Sequence, residues 1–256
     1  MSHNVHRRVS MQSGFFISGV ASKMAENRLD NITHNLANVN TTGYKASRSS
    51  FKSVLSDSVE GAQKQQNAAS YLSMGTQYID TKAGNIKQTG NALDFAIVAD
   101  GYFQVQQADG SIALTRAGNF TRDNEGNLIT HGGLAVLDDS QNPITLPDGN
   151  ISGTSEGMIF VNNEQVAQLG LVKLINESDL KQKEGTLLLT SEGNTEDAVG
   201  EVMVQHGAIE GSNVNAVLAM TEMVATLRSY ESTMKVVEQY NQLAGQLSSN
   251  VGKIQG

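Results

Sequence analysis

The sequence predicts an α+β chain: long N- and C-terminal α-helices pairing as a coiled-coil-like helical domain, with a mainly antiparallel β domain inserted between them. Two observations carry this reading. Apolar residues recur at helical spacing at both ends, and the stretch between them alternates with period two and is broken by turn residues at short intervals. The boundaries read from these patterns are a disordered segment at 1–10, a terminal helical domain built from 11–43 and 211–250, a linker at 44–75 and a β domain at 76–210.

At the N-terminal end Leu29, Ile32, Leu36 and Val39 recur at spacings of three, four and three, which puts them on one helix face. A neighbouring row begins with Ile17, Ala21 and Met24, passes through Arg28 and becomes an amide stripe of Asn31, Asn35 and Asn38. Those asparagines either face water or are buried between subunits, where their donors and acceptors would select one register. The helix is expected to end before Gly43, which can take the left-handed conformation of a C-terminal cap. Residues 45–75 read as a transition. Phe51, Val54 and Leu55 could form a turn or two of amphipathic helix, and Glu60 onward is poor in large apolar residues, as a solvated loop would be.

From Gln77 the period changes to two. Strand candidates include DFAIVAD, YFQVQQ, IALTR, NLITHGG, PITLP, MIFVNN, EQVAQLGLVKL and EVMVQHGAIE, separated by turn signals such as Asp109-Gly110 and Asp123-Asn124-Glu125-Gly126. Short strands at that pitch point to an antiparallel β domain. The C-terminal helix follows, with Ser212 or Asn213 as its candidate N-cap. Val217, Met220, Val224, Leu227 and Met234 form one row, interrupted by Glu231, and Met223, Tyr230, Val237 and Ala244 form a second. One helix pair leaves much of two wide apolar faces wet, which favours lateral assembly. The candidate assembly residues are therefore Leu29, Asn31, Ile32, Asn35, Leu36, Asn38 and Val39 on the first helix. On the second they are Val217, Met220, Val224, Leu227, Tyr230, Met234 and Val237.

Composition narrows the functional classes. With 18 Lys and Arg against 26 Asp and Glu, the chain carries a net charge of −8, which opposes generic nucleic-acid binding. It has no cysteine, so disulfide scaffolds, thiolate metal sites and thiol nucleophiles are excluded. No apolar run approaches the ~18 residues of a membrane span. Arg7 and Arg8 precede an apolar patch too short and interrupted for a signal peptide, so any export is expected to use another route, without cleavage.

Three stretches carry a family resemblance. Asn35-Leu36-Ala37-Asn38 followed by Gly43-Tyr44-Lys45 resembles the N-terminal motif of bacterial flagellar rod and hook proteins. The run GNALDFAIVADGYFQVQQADGSIALTRAGNF resembles the opening of that family's β domain, and Gly211-Ser212-Asn213-Val214-Asn215-Ala216-Val217 resembles the start of its C-terminal helix. The resemblance spans nearly the whole chain in order. Within the family, the short connection between Tyr44 and Gly84 and the form Ala216-Val217-Leu218-Ala219-Met220 look more like proximal-rod members than distal-rod members, which carry a longer insertion there. It implies a structural subunit of the rod, the shaft that transmits motor torque, with terminal helices inside and the β domain outside. It also implies helical assembly with itself and other rod proteins, and export by the flagellar type III apparatus.

A search for catalytic chemistry yields little. His3 and His6 have no cysteine partners, and His34 reads as a polar interface residue. Asp138 with Asp139, or Asp94 with Asp100, could be imagined as paired carboxylates, but adjacent strand positions face opposite sides and turn aspartates bond their own backbone. No GxSxG elbow or GxxxxGK[ST] loop occurs. The expectation is no enzyme, no cofactor and no metal. The competing readings are a hook or distal-rod paralogue and a secreted carbohydrate-binding or enzymatic β domain.

Overall fold

The computed structural model describes residues 3–55, 70–198 and 200–252. Helix α1 spans His3–Ala37 and helix α2 spans Ala216–Gly252. The elements between them are short antiparallel strands and one 3-10 turn, Glu177–Asp179, whose first free N–H, at Ser178, is capped by the Asn176 side chain. The expected transition falls partly on 56–69, outside the described residues. On either side of it Ser47–Leu55 and Ser70–Ile79 pair as a two-stranded sheet.

The expected organisation around a coiled-coil-like pair of terminal helices is not what the structure has. Among the described residues eighteen strands, most of them short, stand between two α-helices, and the terminal helices are not a long coiled-coil pair. The physical reason lies on α2. The row expected to close such a seam is uncovered, with Val217 75 %, Met220 53 %, Val224 49 % and Leu227 42 % exposed. The helices meet where Ser22 Oγ donates to Met234 Sδ at 3.5 Å, a weak and partly polar contact.

Two compact units divide the chain, one comprising 1–34, 49–77 and 217–256 and the other 35–48 and 78–216. The second holds the β core. Its largest sheet is nine-stranded and centres on Tyr102–Gln106, which pairs antiparallel with Ile112–Thr115, with Ala135–Val136 and with Leu171–Leu174. A three-stranded sheet joins Ile151–Gly153, Met158–Val161 and Glu164–Gln168. Two smaller pairs match Phe95–Ile97 with Val204–His206 and Ile86–Gln88 with Ala208–Glu210.

The central strand is buried on both faces, so its apolar residues serve two cores. Phe103 and Val105 enter the main core with Phe95, Phe120, Leu128 and Leu169, while Tyr102 packs with Leu114, Val172 and Leu188 in a second. Phe103 and Phe120 meet edge to face with centroids 5.2 Å apart, a geometry that adds about 0.5–1.5 kcal/mol to their area burial. The predicted turns are made by side-chain acceptors: Asp123 Oδ1 accepts from the N–H of Glu125 and of Asn127. Among the described residues no helix is long and apolar enough to cross a membrane.

Candidate functional site: the motif joint and the outer helix row

The residues of the N- and C-terminal motifs converge on one joint within the second unit. Asn35, on the last turn of α1, donates from Nδ2 to the Ser47 carbonyl at 2.8 Å, and its Oδ1 accepts from Ser47 N at 2.9 Å and from the Tyr44 hydroxyl at 3.2 Å. The side chain thus extends the strand beginning at Ser47 by one pair of backbone-like hydrogen bonds. Asn213 does the same from the other end of the chain. Its Oδ1 accepts from Ala46 N at 2.8 Å, and its Nδ2 donates to the carbonyls of Asp80 at 2.7 Å and Lys82 at 3.0 Å. Asn213 therefore holds the joint and does not cap α2, which begins three residues later.

Charge is buried beneath these amides. Glu210 accepts from Lys45 Nζ at 2.8 Å, from Gly84 N at 2.7 Å and from Arg116 Nη1 at 3.0 Å, and Lys45 also donates to the Lys82 carbonyl at 2.7 Å. All three ionic side chains are at most 2 % exposed. Burial pulls the Lys45 ammonium below its ordinary value and Glu210 opposes that pull. Arg116 lies over the Tyr102 ring at 5.0 Å, a cation–π contact that occupies its face, while its Nε is buried without a hydrogen-bond partner.

Close backbone approach completes the joint and explains two glycines. Gly43 has φ +69°, its N–H donates to the Glu210 carbonyl at 2.7 Å, and a Cβ there would lie 2.2 Å from Ala117 N. At Gly84 a Cβ would lie 2.0 Å from the Gly211 carbonyl oxygen.

Burial pushes the Tyr102 phenol up to about 12 from an ordinary 10.0, against the opposing pull of Arg116. The folded protein thus holds a proton that the unfolded chain releases. Stability is full below pH 10 and falls as pH rises from there through about 12. Tyr102→Phe is expected to flatten the melting temperature against pH over that window relative to the unsubstituted protein. An unchanged slope would show that another group controls alkaline unfolding.

The candidate assembly residues divide into those spent inside the chain and those left outside it. In the amide stripe, Asn31 accepts from Gln77 Nε2 at 3.0 Å, Asn38 accepts from the Thr41 hydroxyl at 3.1 Å, and Asn35 holds Ser47. Ile32 is buried, and Leu29, Leu36 and Val39 are half-buried. On α2 the covered row is Ala219, Met223, Thr226, Tyr230, Thr233, Val237 and Tyr240, alternating spacings of four and three. Thr226 and Thr233 fit there because their hydroxyls bond back to the carbonyls of Glu222 at 2.7 Å and Ser229 at 2.9 Å, leaving methyl groups to pack. The more apolar row of Val217, Met220, Val224 and Leu227 faces outward, and Met234, which continues it, is exposed in part and touches Ser22 of α1.

Two of the four carboxylates weighed for catalysis, Asp138 and Asp94, hold local turns. Asp138 accepts from Ser140 N and Asn142 N in its turn, and Asp94 accepts from Thr89 Oγ1 and Asn91 Nδ2. Among the described residues no group of three His, Asp or Glu could hold a metal ion. Joint and outer row together have the build of a structural subunit, a chain whose terminal motifs close on each other and whose most apolar helix face is uncovered.

Comparison with known proteins agrees with that class. Residues 21–45 match the model of the flagella basal body rod protein, 96–173 that of the flagellar hook protein FlgE/F/G D1 domain, and 205–250 that of the flagellar basal body rod FlgEFG protein C-terminal region. The flagellar basal-body rod protein FlgG of Agrobacterium fabrum is 30 % identical over 256 residues, covering 92 % of this chain and 98 % of the relative. FlgF of Rhizobium meliloti is 34 % identical over 227 residues, covering 87 % and 90 %, and FlgG of Bacillus subtilis is 34 % identical over 266 residues, covering 93 % and 97 %. The chain belongs to the flagellar basal-body rod protein family.

Proposed function

We propose that this chain is a structural subunit of the proximal flagellar rod and that the outward row of α2 is a surface on which neighbouring subunits pack. The observation that carries the reading is the exposure of Val217, Met220, Val224, Leu227 and Met234 on a helix whose less apolar row is the covered one. Burying such a row stabilises an assembly by roughly 25 cal/mol per Å² of apolar surface. The proximal level is supported by the short connection between Tyr44 and Gly84. Export by the flagellar type III apparatus and axial contact with other rod proteins follow from the family.

Val224→Asp combined with Leu227→Asp is expected to leave the β core's melting unchanged while abolishing motility and incorporation into purified basal bodies. Normal motility would overturn the assignment of this row. The axial level is tested separately by complementation. Rescue of a strain lacking its FlgF, and not of one lacking its FlgG, is the expected result, and the reverse pattern places the chain in the distal rod.

A further inference from the structure

The joint brings together residues far apart in the chain. Lys45 and Glu210 are 165 residues apart, and Ala46 and Asn213 are 167 apart. Several bonds that close the N-terminal motif from Gly43 to Ser47 end on Asn35, Glu210 or Asn213, and the fully buried one, from Lys45 Nζ, ends on Glu210. The C-terminal side is tied down in return: Gly211 N donates to the Asn85 carbonyl and Gly84 N donates to the Glu210 carboxylate. The buried Lys45 ammonium forms its ion pair with Glu210, whose single carboxylate it shares with Arg116.

We propose that the joint is a reciprocal latch. Glu210 and Asn213 lock the N-terminal motif, and Asn35, by fixing the strand at Ser47, locks the C-terminal motif. A chain made from its N-terminus exposes the first half 165 residues before its partner exists, so the motif around Lys45 stays open until nearly the whole β core has been made. The latch thereby couples closure of the N-terminal motif to completion of the β core. This inference concerns the folding of one chain and does not rest on the proposed place in the rod.

Amide exchange on two full-length variants tests it. In Asn213→Ala, the amides of Gly43, Ser47 and Asp80, whose own acceptors are Glu210, Asn35 and Ala46, are expected to exchange about tenfold faster or more, with Val105 and Leu128 unchanged. In Asn35→Ala, the amides of Gly84 and Gly211 should accelerate by a similar factor, since coupling between two sites is reciprocal. Acceleration confined to Ala46, which loses its own acceptor, would overturn the latch. So would a response in one direction only, or one shared equally by Val105 and Leu128. Should Asn213→Ala yield no folded protein, Asn213→Asp is read the same way, because it keeps the acceptor for Ala46 and removes the donors to Asp80 and Lys82.

Discussion

Glu210→Gln is expected to destabilise the β unit by about 3–5 kcal/mol, because it leaves Lys45 and Arg116 as buried cations without a counter-charge. For a protein of this size that is a fall in melting temperature on the order of 10 °C. Lys45→Met separates the charge effect from the packing effect. It removes one of two cations sharing one carboxylate and leaves the Arg116–Glu210 pair intact, so its cost should be less than half that of Glu210→Gln. Melting followed by circular dichroism checks both. Equal costs for the two variants would show that the loss lies in the Lys45 pair and that Arg116 needs no counter-charge.

The second large effect belongs to Gly43→Ala. The left-handed backbone contributes about 1–2 kcal/mol, and overpacking against Ala117 N, 2.2 Å from the new Cβ, contributes about 1–3 kcal/mol more. Gly110→Ala is the control. Its φ is +84°, but open space surrounds it, so only the conformational part should appear. A Gly43 variant no less stable than the Gly110 variant would mean that the backbone of the joint moves aside freely.

Much of the β unit was legible in sequence because Phe95–Ile97, Tyr102–Gln106 and Met158–Val161 combine β-branched or aromatic residues with nearby turn residues. The strands Ile151–Gly153, Lys181–Gln182 and Thr195–Asp197 have no such pattern; pairing partners elsewhere in the chain define them. The joint was half visible. Gly43, Tyr44, Lys45 and Asn213 stand in recognisable motifs, but Arg116 and Glu210 sit at the ends of ordinary strand patterns and their partnership spans 94 residues. On α2 both apolar rows were visible, and their roles were not. A hydropathy pattern ranks Thr226 and Thr233 as polar, yet a hydroxyl bonded to the preceding turn turns threonine into a methyl-bearing packing residue. Hydropathy therefore does not tell the row of α2 that is covered within the chain, which carries Thr226 and Thr233, from the more apolar and exposed row of Val217, Met220, Val224 and Leu227.

Because residues 43–46 are bonded directly to residues 210–213, the whole β insertion is a detour in the mechanical sense. Tension that enters along α1 can leave along α2 across a few hydrogen bonds and one ion pair, without passing through the strands between Ser47 and Ile209. The bonds at the joint are loaded together, whereas the sheets behind it are not loaded in series with it. The insertion is thereby free to vary in length or shape without altering how force crosses the joint.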